Sequence, residues 1–184
     1  MIDFRAYQRG KGGGFTLIEL LIVVAIIGVI AAILIPNLLD SLQKAKQKRT
    51  MADMRDLGAA WFGWLTDQVG AAAAGASQNT YNFEGLATTL SADDLQSSLY
   101  VNENMFYIRS VPARDGWGYL YDFRWSGRVL SDQIVGIRSY GRDGAQGPAT
   151  NPYTVGPFIT TDYDQDIVWA DGMFIRYPGG TAAD

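Results

Sequence analysis

Apolar positions dominate residues 15–35, where only Thr16, Glu19 and Gly28 interrupt a run of large apolar side chains and alanines. As a helix rising 1.5 Å per residue, the run reaches about 31 Å, enough to cross a bilayer core. Beyond Pro36 the pattern turns amphipathic. Leu38, Leu42 and Ala45, then Met54, Leu57, Trp61, Trp64 and Leu65, recur at three- and four-residue steps, while Lys44, Lys46, Lys48, Arg49, Asp53, Arg55 and Asp56 fill the other faces. This predicts one continuing helix to about Asp67. Pro36 lacks an amide donor and restricts the residue before it, so a kink or local opening is expected there, and Gly28 is a second weak point. Residues 69–80 are small and polar and read as a loop. Ser91 with Asp94 three positions later forms a capping box, opening a short helix through about Leu99. Strand-like alternation follows in residues 106–110, 118–125 and 133–140, with Ser126-Gly127 as a hairpin turn. The fold class is therefore α+β. A long kinked N-terminal helix is expected to carry a small antiparallel sheet on its C-terminal half, with the sheet's apolar face on Trp61, Trp64 and Leu65. The segments are 1–14, 15–36, 37–68 and 69–184.

Composition narrows the chemistry. The chain has 184 residues, a net charge of -4, no cysteine and no histidine. Disulfides, thiolate metal sites, the commonest general base and the commonest transition-metal ligand are thereby removed. Net acidity argues against nucleic acid as the main partner. Residues 1–14 carry Arg5, Arg9 and Lys11 against Asp3 and fit the charged opening of an exported chain. The apolar run is longer than a secretory signal requires, and it ends in Ile35-Pro36-Asn37 without a small-x-small cleavage site. A simple anchor explains its length but neither Gly12-Gly13-Gly14 nor Glu19. A carboxylate within a membrane span costs about 2.5–3.5 kcal/mol at the centre and less near an end, so Glu19 needs a partner. Three bases precede the span and Lys44, Lys46, Lys48 and Arg49 follow it, so charge asymmetry assigns no orientation. That basic cluster suits a solvated face or charge pairing between subunits better than lipid phosphates.

Residues 11–39 (KGGGFTLIELLIVVAIIGVIAAILIPNLL) resemble the N-terminal signature of type IV pilins and type II secretion pseudopilins, with Gly14-Phe15, Glu19 and Pro36 in the family's positions. The resemblance implies a leader peptide at 1–14, cut by prepilin peptidase between Gly14 and Phe15, and methylation of the new Phe15 amine. It implies that Glu19 pairs with the Phe15 amine of a neighbouring subunit, offsetting the desolvation of both ions and setting axial register. It marks Gly28 to Pro36 as the segment that loosens during assembly; both residues are also simply tolerated in many membrane helices. The implied setting is a single-pass inner-membrane protein with its head outside the cytoplasm, becoming a periplasmic or surface filament. Its implied partners are copies of itself, the inner-membrane assembly platform and minor pseudopilins.

Two later segments bear on which filament. Ser139-Tyr-Gly-Arg-Asp143-Gly is glycine-rich, but no helix is predicted after it and Pro148 and Pro152 follow, which excludes a phosphate loop. Thr161-Asp162-Tyr-Asp164-Gln-Asp166-Ile begins like an EF-hand, yet Ile167 and Met173 stand where that loop needs Gly and Glu. Carboxylates this close repel unless solvent or a cation intervenes. Together the segments resemble the calcium loop of the type II secretion major pseudopilin, as Arg114-Asp115-Gly116-Trp117-Gly118 resembles the turn before its sheet. By that resemblance calcium is the expected cofactor. Asp143, Asp164 and Asp166 would be side-chain ligands, and backbone oxygens near Ile137 or Ser139 would complete the shell. Residues 148–161 are longer than that family's loop, and Asp162 is an alternative ligand. Asp93 and Asp94 suit a helix start rather than catalysis. A non-enzymatic subunit driving export of folded proteins across the outer membrane is thus the leading reading. The alternative is a type IV pilin for motility, adhesion or DNA uptake. An acid-pair glycosidase lacks a substrate cleft in the pattern, and an unassembled anchored binding module would keep its uncut N-terminus.

Overall fold

A computed structural model describes residues 14–69, 80–81, 86, 88–126, 133–147 and 152–180. The expected leader up to residue 13, the position of Gly127, and Pro148 lie outside the described residues. The chain divides into two compact units, Met1–Ser41 and Leu42–Asp184. Helix α1, Leu17–Val69, runs through both and contains Pro36.

In the first unit the aliphatic side chains face outward on every side; Leu17, Ile26, Val29 and Ile33 are each more than half exposed. The helix opens with a capping box. The Thr16 amide and Oγ1 donate to Glu19 Oε2 at 2.9 and 2.7 Å, and the Glu19 amide returns a bond of 3.3 Å to Thr16 Oγ1. Helical structure persists through Pro36, and next to it Asn37 Nδ2 donates to the Ile33 carbonyl at 3.2 Å. The proline therefore does not end the helix.

In the second unit the helix contributes Met54, Leu57, Trp61 and Leu65, all essentially buried. The other elements are β1 (Thr80–Tyr81), β2 (Thr88–Leu90), α2 (Ala92–Leu99), β3 (Tyr100–Asn102), β4 (Met105–Phe106), β5 (Asp122–Trp125), β6 (Val135–Ser139), β7 (Tyr153–Thr154), β8 (Gly156–Ile159), β9 (Ile167–Ala170) and β10 (Met173–Gly180). Six strands make one sheet in the order β2-β5-β6-β9-β10-β8, antiparallel except for the parallel β10–β8 pair. Two small pairs, β1–β7 and β3–β4, stand apart.

Alternation explains the layering. Ile167 and Trp169 of β9 join Phe123, Val135 and Ile137 in the cluster that holds Met54, Leu57, Trp61 and Leu65. Val168 and Ala170, pointing the other way, join Leu86, Tyr153 and Ile175 in a second cluster. β9 is thus buried on both faces. Trp64 meets Trp125 edge-on, with ring centroids 6.3 Å apart. The expected seating of the sheet on the Trp61 face is observed, as is the Ser91–Asp94 capping box of α2.

Two strand expectations are corrected. Of residues 106–110 only Phe106 is extended in a strand. The backbone beyond it is satisfied by α2 instead: the Tyr107 amide donates to the Leu99 carbonyl, Gln96 Nε2 donates to the Arg109 carbonyl, and the Val111 amide donates to Gln96 Oε1. Residues 118–121 precede β5 as the end of a turn. Asp115 Oδ1 gathers the Trp117 and Tyr119 amides there at 3.0 and 2.9 Å. The strands after residue 152 were not anticipated.

Candidate assembly helix and acidic loop

The assembly residues foreseen from sequence all lie on the first unit. Gly14 and Phe15 precede the helix, and Phe15 is 84% exposed. Glu19 is held by its own Thr16 rather than left bare, and Gly28 has open space around its Cα. The helix is long and apolar enough to cross a membrane, and its most hydrophobic window is unburied.

The acidic loop forms where β6 ends. Ser139 is buried at the strand's last position, and its Oγ donates to Asp115 Oδ2 at 2.6 Å, tying the loop to the turn before β5. Gly141 follows at φ 72°, and a Cβ there would stand 2.7 Å from the Tyr163 carbonyl oxygen, so only glycine lets the two loop segments meet. The Arg142 amide then donates to that same carbonyl at 2.8 Å.

The three carboxylates foreseen as ligands take separate directions. Asp143 is exposed and accepts the Ala145 amide within its own turn at 3.1 Å. Asp164 is gripped by Arg142, with Nε and Nη2 at 2.8 and 2.6 Å from its two oxygens. Asp166 is 1% exposed and faces the sheet, accepting the Gly147 amide at 2.9 Å and the Tyr153 hydroxyl. Asp162 accepts from Gln165 Nε2 at 2.9 Å. Among the described residues no group of three or more Asp, Glu, His or Cys side chains is gathered closely enough to hold a metal ion. Asp143, Asp164, Asp166 and Ser139 are each hydrogen-bonded to a different protein group.

The buried side of the loop rests on groups that the sequence reading passed over. Arg138, 1% exposed, donates from Nη1 to the Tyr153 hydroxyl at 3.2 Å and from Nη2 to Asp122 Oδ2 at 2.7 Å and the Tyr140 hydroxyl at 2.9 Å. Its guanidinium lies 4.7 Å from the Tyr140 ring centroid. Arg124 completes the neutralisation of Asp122 at 3.1 Å. Burial pushes the Asp166 carboxyl above its ordinary range, against the Tyr153 and Gly147 hydrogen bonds that favour the charged form. A signal for this network existed: Arg138 sits inside a strand of otherwise apolar or small residues, where a charge needs a partner.

Residues 9–35 match the prokaryotic N-terminal methylation motif. The chain is 30% identical over 137 residues to the type II secretion system core protein G of Klebsiella pneumoniae, an alignment covering 74% of this chain and 88% of that protein. The protein of the same name from Escherichia coli K12 is 28% identical over 141 residues, 77% of this chain and 91% of its own length. A stretch of 47 residues is 51% identical to the type IV major pilin protein PilA of Myxococcus xanthus, covering 26% of this chain and 21% of that one. No solved structure is significantly similar.

Proposed function

We infer function from family: this chain belongs to the type II secretion system core protein G family, and it is the structural subunit that polymerises into the type II secretion pseudopilus. The carrying observation is the extent of the likeness. Similarity to core protein G takes in 137 residues and so continues into the head, whereas similarity to the pilin stops after 47.

The physical role follows from two environments required by one helix. Its N-terminal half leaves large side chains such as Leu17, Leu20 and Ile27 open to the surroundings. Lipid covers such a surface at no hydrophobic cost, and in a filament other copies of the same helix replace the lipid. In our reading prepilin peptidase cuts between Gly14 and Phe15 on the cytoplasmic side, and the head stands outside the cytoplasm. Glu19, held by Thr16 in the single subunit, then turns to the methylated Phe15 amine of a neighbour. An ion pair in that dry bundle is strongly unfavourable to break, so it selects one axial register. Export of folded proteins would be the mechanical output of adding such subunits from the inner-membrane platform, a role that needs no catalysis from this chain.

Deleting the protein and scoring secretion beside twitching motility tests the reading. Lost secretion with intact twitching is the expected result. Lost twitching with intact secretion would assign the chain to a type IV pilus instead.

A further inference from the structure

We infer that the acidic loop of this chain is held closed by its own arginines, in place of a bound divalent cation. The inference is independent of which filament the subunit builds. It starts from the placement of Asp164 and Asp166, which a shared cation would draw together. Here each is claimed separately. Arg142 meets Asp164 through two parallel hydrogen bonds of 2.8 and 2.6 Å, the fork geometry in which arginine matches a carboxylate best. The same guanidinium lies 5.9 Å from the Tyr163 ring centroid, and the Arg142 amide donates to the Tyr163 carbonyl, so backbone and side chain fix it over the loop together.

The inner acid is handled from the opposite side. Tyr153 donates its hydroxyl hydrogen to Asp166 and accepts from buried Arg138, relaying that positive charge across the sheet face. Tyr153 belongs to β7, within the long segment between the two acidic-loop motifs, so the insertion supplies the hydroxyl that the relay needs. Arg142 and Arg138 thus act on the outer and the inner acid, Arg142 directly and Arg138, itself paired with Asp122, through the Tyr153 hydroxyl. They do so from fixed covalent positions, without the ordering of a dissolved ion.

Thermal melting of the full chain in detergent micelles, followed by tryptophan fluorescence, tests this in about 1 mM calcium chloride, the extracellular range, against EGTA. The expected result is the same midpoint in both. Arg142→Gln, an exposed change compatible with folding, is expected to lower the midpoint in EGTA, and adding Asp164→Asn is expected to recover most of the loss. Tyr153→Phe, which leaves Asp166 buried beside one amide, is expected to lower it further. A calcium-dependent rise of the unaltered chain by more than about 3 °C, a shift well outside small surface effects, would overturn the inference. So would an Arg142→Gln chain that melts in EGTA where the unaltered chain does.

Discussion

Asp171 adopts φ 46° at the first position of the two-residue turn joining β9 to β10, with Gly172 following at φ 95°. Two left-handed residues in succession make the turn whose twist matches that of paired strands, and Asp-Gly is among the pairs that tolerate it. The side chain also works across the sheet: Oδ1 accepts the Ile134 and Val135 amides at 3.0 and 2.9 Å, where β6 begins. Burial raises the Asp171 carboxyl above its ordinary value, although those amides pull it down. The folded chain therefore holds this proton more tightly than the unfolded chain. Between the unfolded value, about 3.9, and the raised folded one, stability falls as pH rises, and it stays lower above that window. Asp166 contributes in the same direction. Asp171→Asn keeps the acceptor and the tolerance of a left-handed backbone while removing the buried charge. It is expected to melt at neutral pH at or above the unaltered chain and to flatten the acid-side slope. Asp171→Ala removes the carboxylate oxygen that accepts both amides and should cost about 2 kcal/mol in urea unfolding.

Between elements, α1 comes very close to β9. A Cβ at Gly58 would lie 2.4 Å from the Trp169 ring, whose edge also meets Phe62 with centroids 6.2 Å apart. Alanine favours an exposed helix over glycine by about 1 kcal/mol, yet here the ring cannot yield without disturbing the cluster it shares with Leu57 and Trp61. Gly58→Ala is expected to destabilise by about 1–3 kcal/mol net, with an altered tryptophan emission in the native state. How far such packing could be read in advance varies with the source of the signal. The amphipathic steps from Met54 to Leu65 and the Ser91–Asp94 box are local patterns, and both elements formed as expected. Thr16 and Glu19 carry the same box spacing, but the apolar context drew attention to an intermolecular partner instead. The Asp171-Gly172 hairpin was equally local and was overlooked among the acidic residues just before it. Gly58 was different, because nothing near it in sequence announces that a tryptophan more than a hundred positions later needs its empty flank. The same holds for Asp166: its acidic spacing suggested a shared ion, whereas Tyr153 and Arg138, arriving from other strands, decide where it points.

For the whole molecule, mass spectrometry of protein taken from native membranes is expected to find Phe15 at the N-terminus with one added methyl group; an intact Met1 would return the chain to a simple membrane anchor. The sheet order bears on how the head comes into being. β8 pairs with β10 in parallel, and β10 lies between β9 and β8. As the chain is laid down, β9 turns back onto β6 and leaves a gap one strand wide beside β8. That gap is filled only when residues 173–180 follow. Non-local pairing of this kind is slow, and an open strand edge invites the wrong neighbour meanwhile. A head lacking its final strand would lose two ladders at once. β10 is thus the keystone of the sheet, since the edge strand β8 is joined to the other strands only through it.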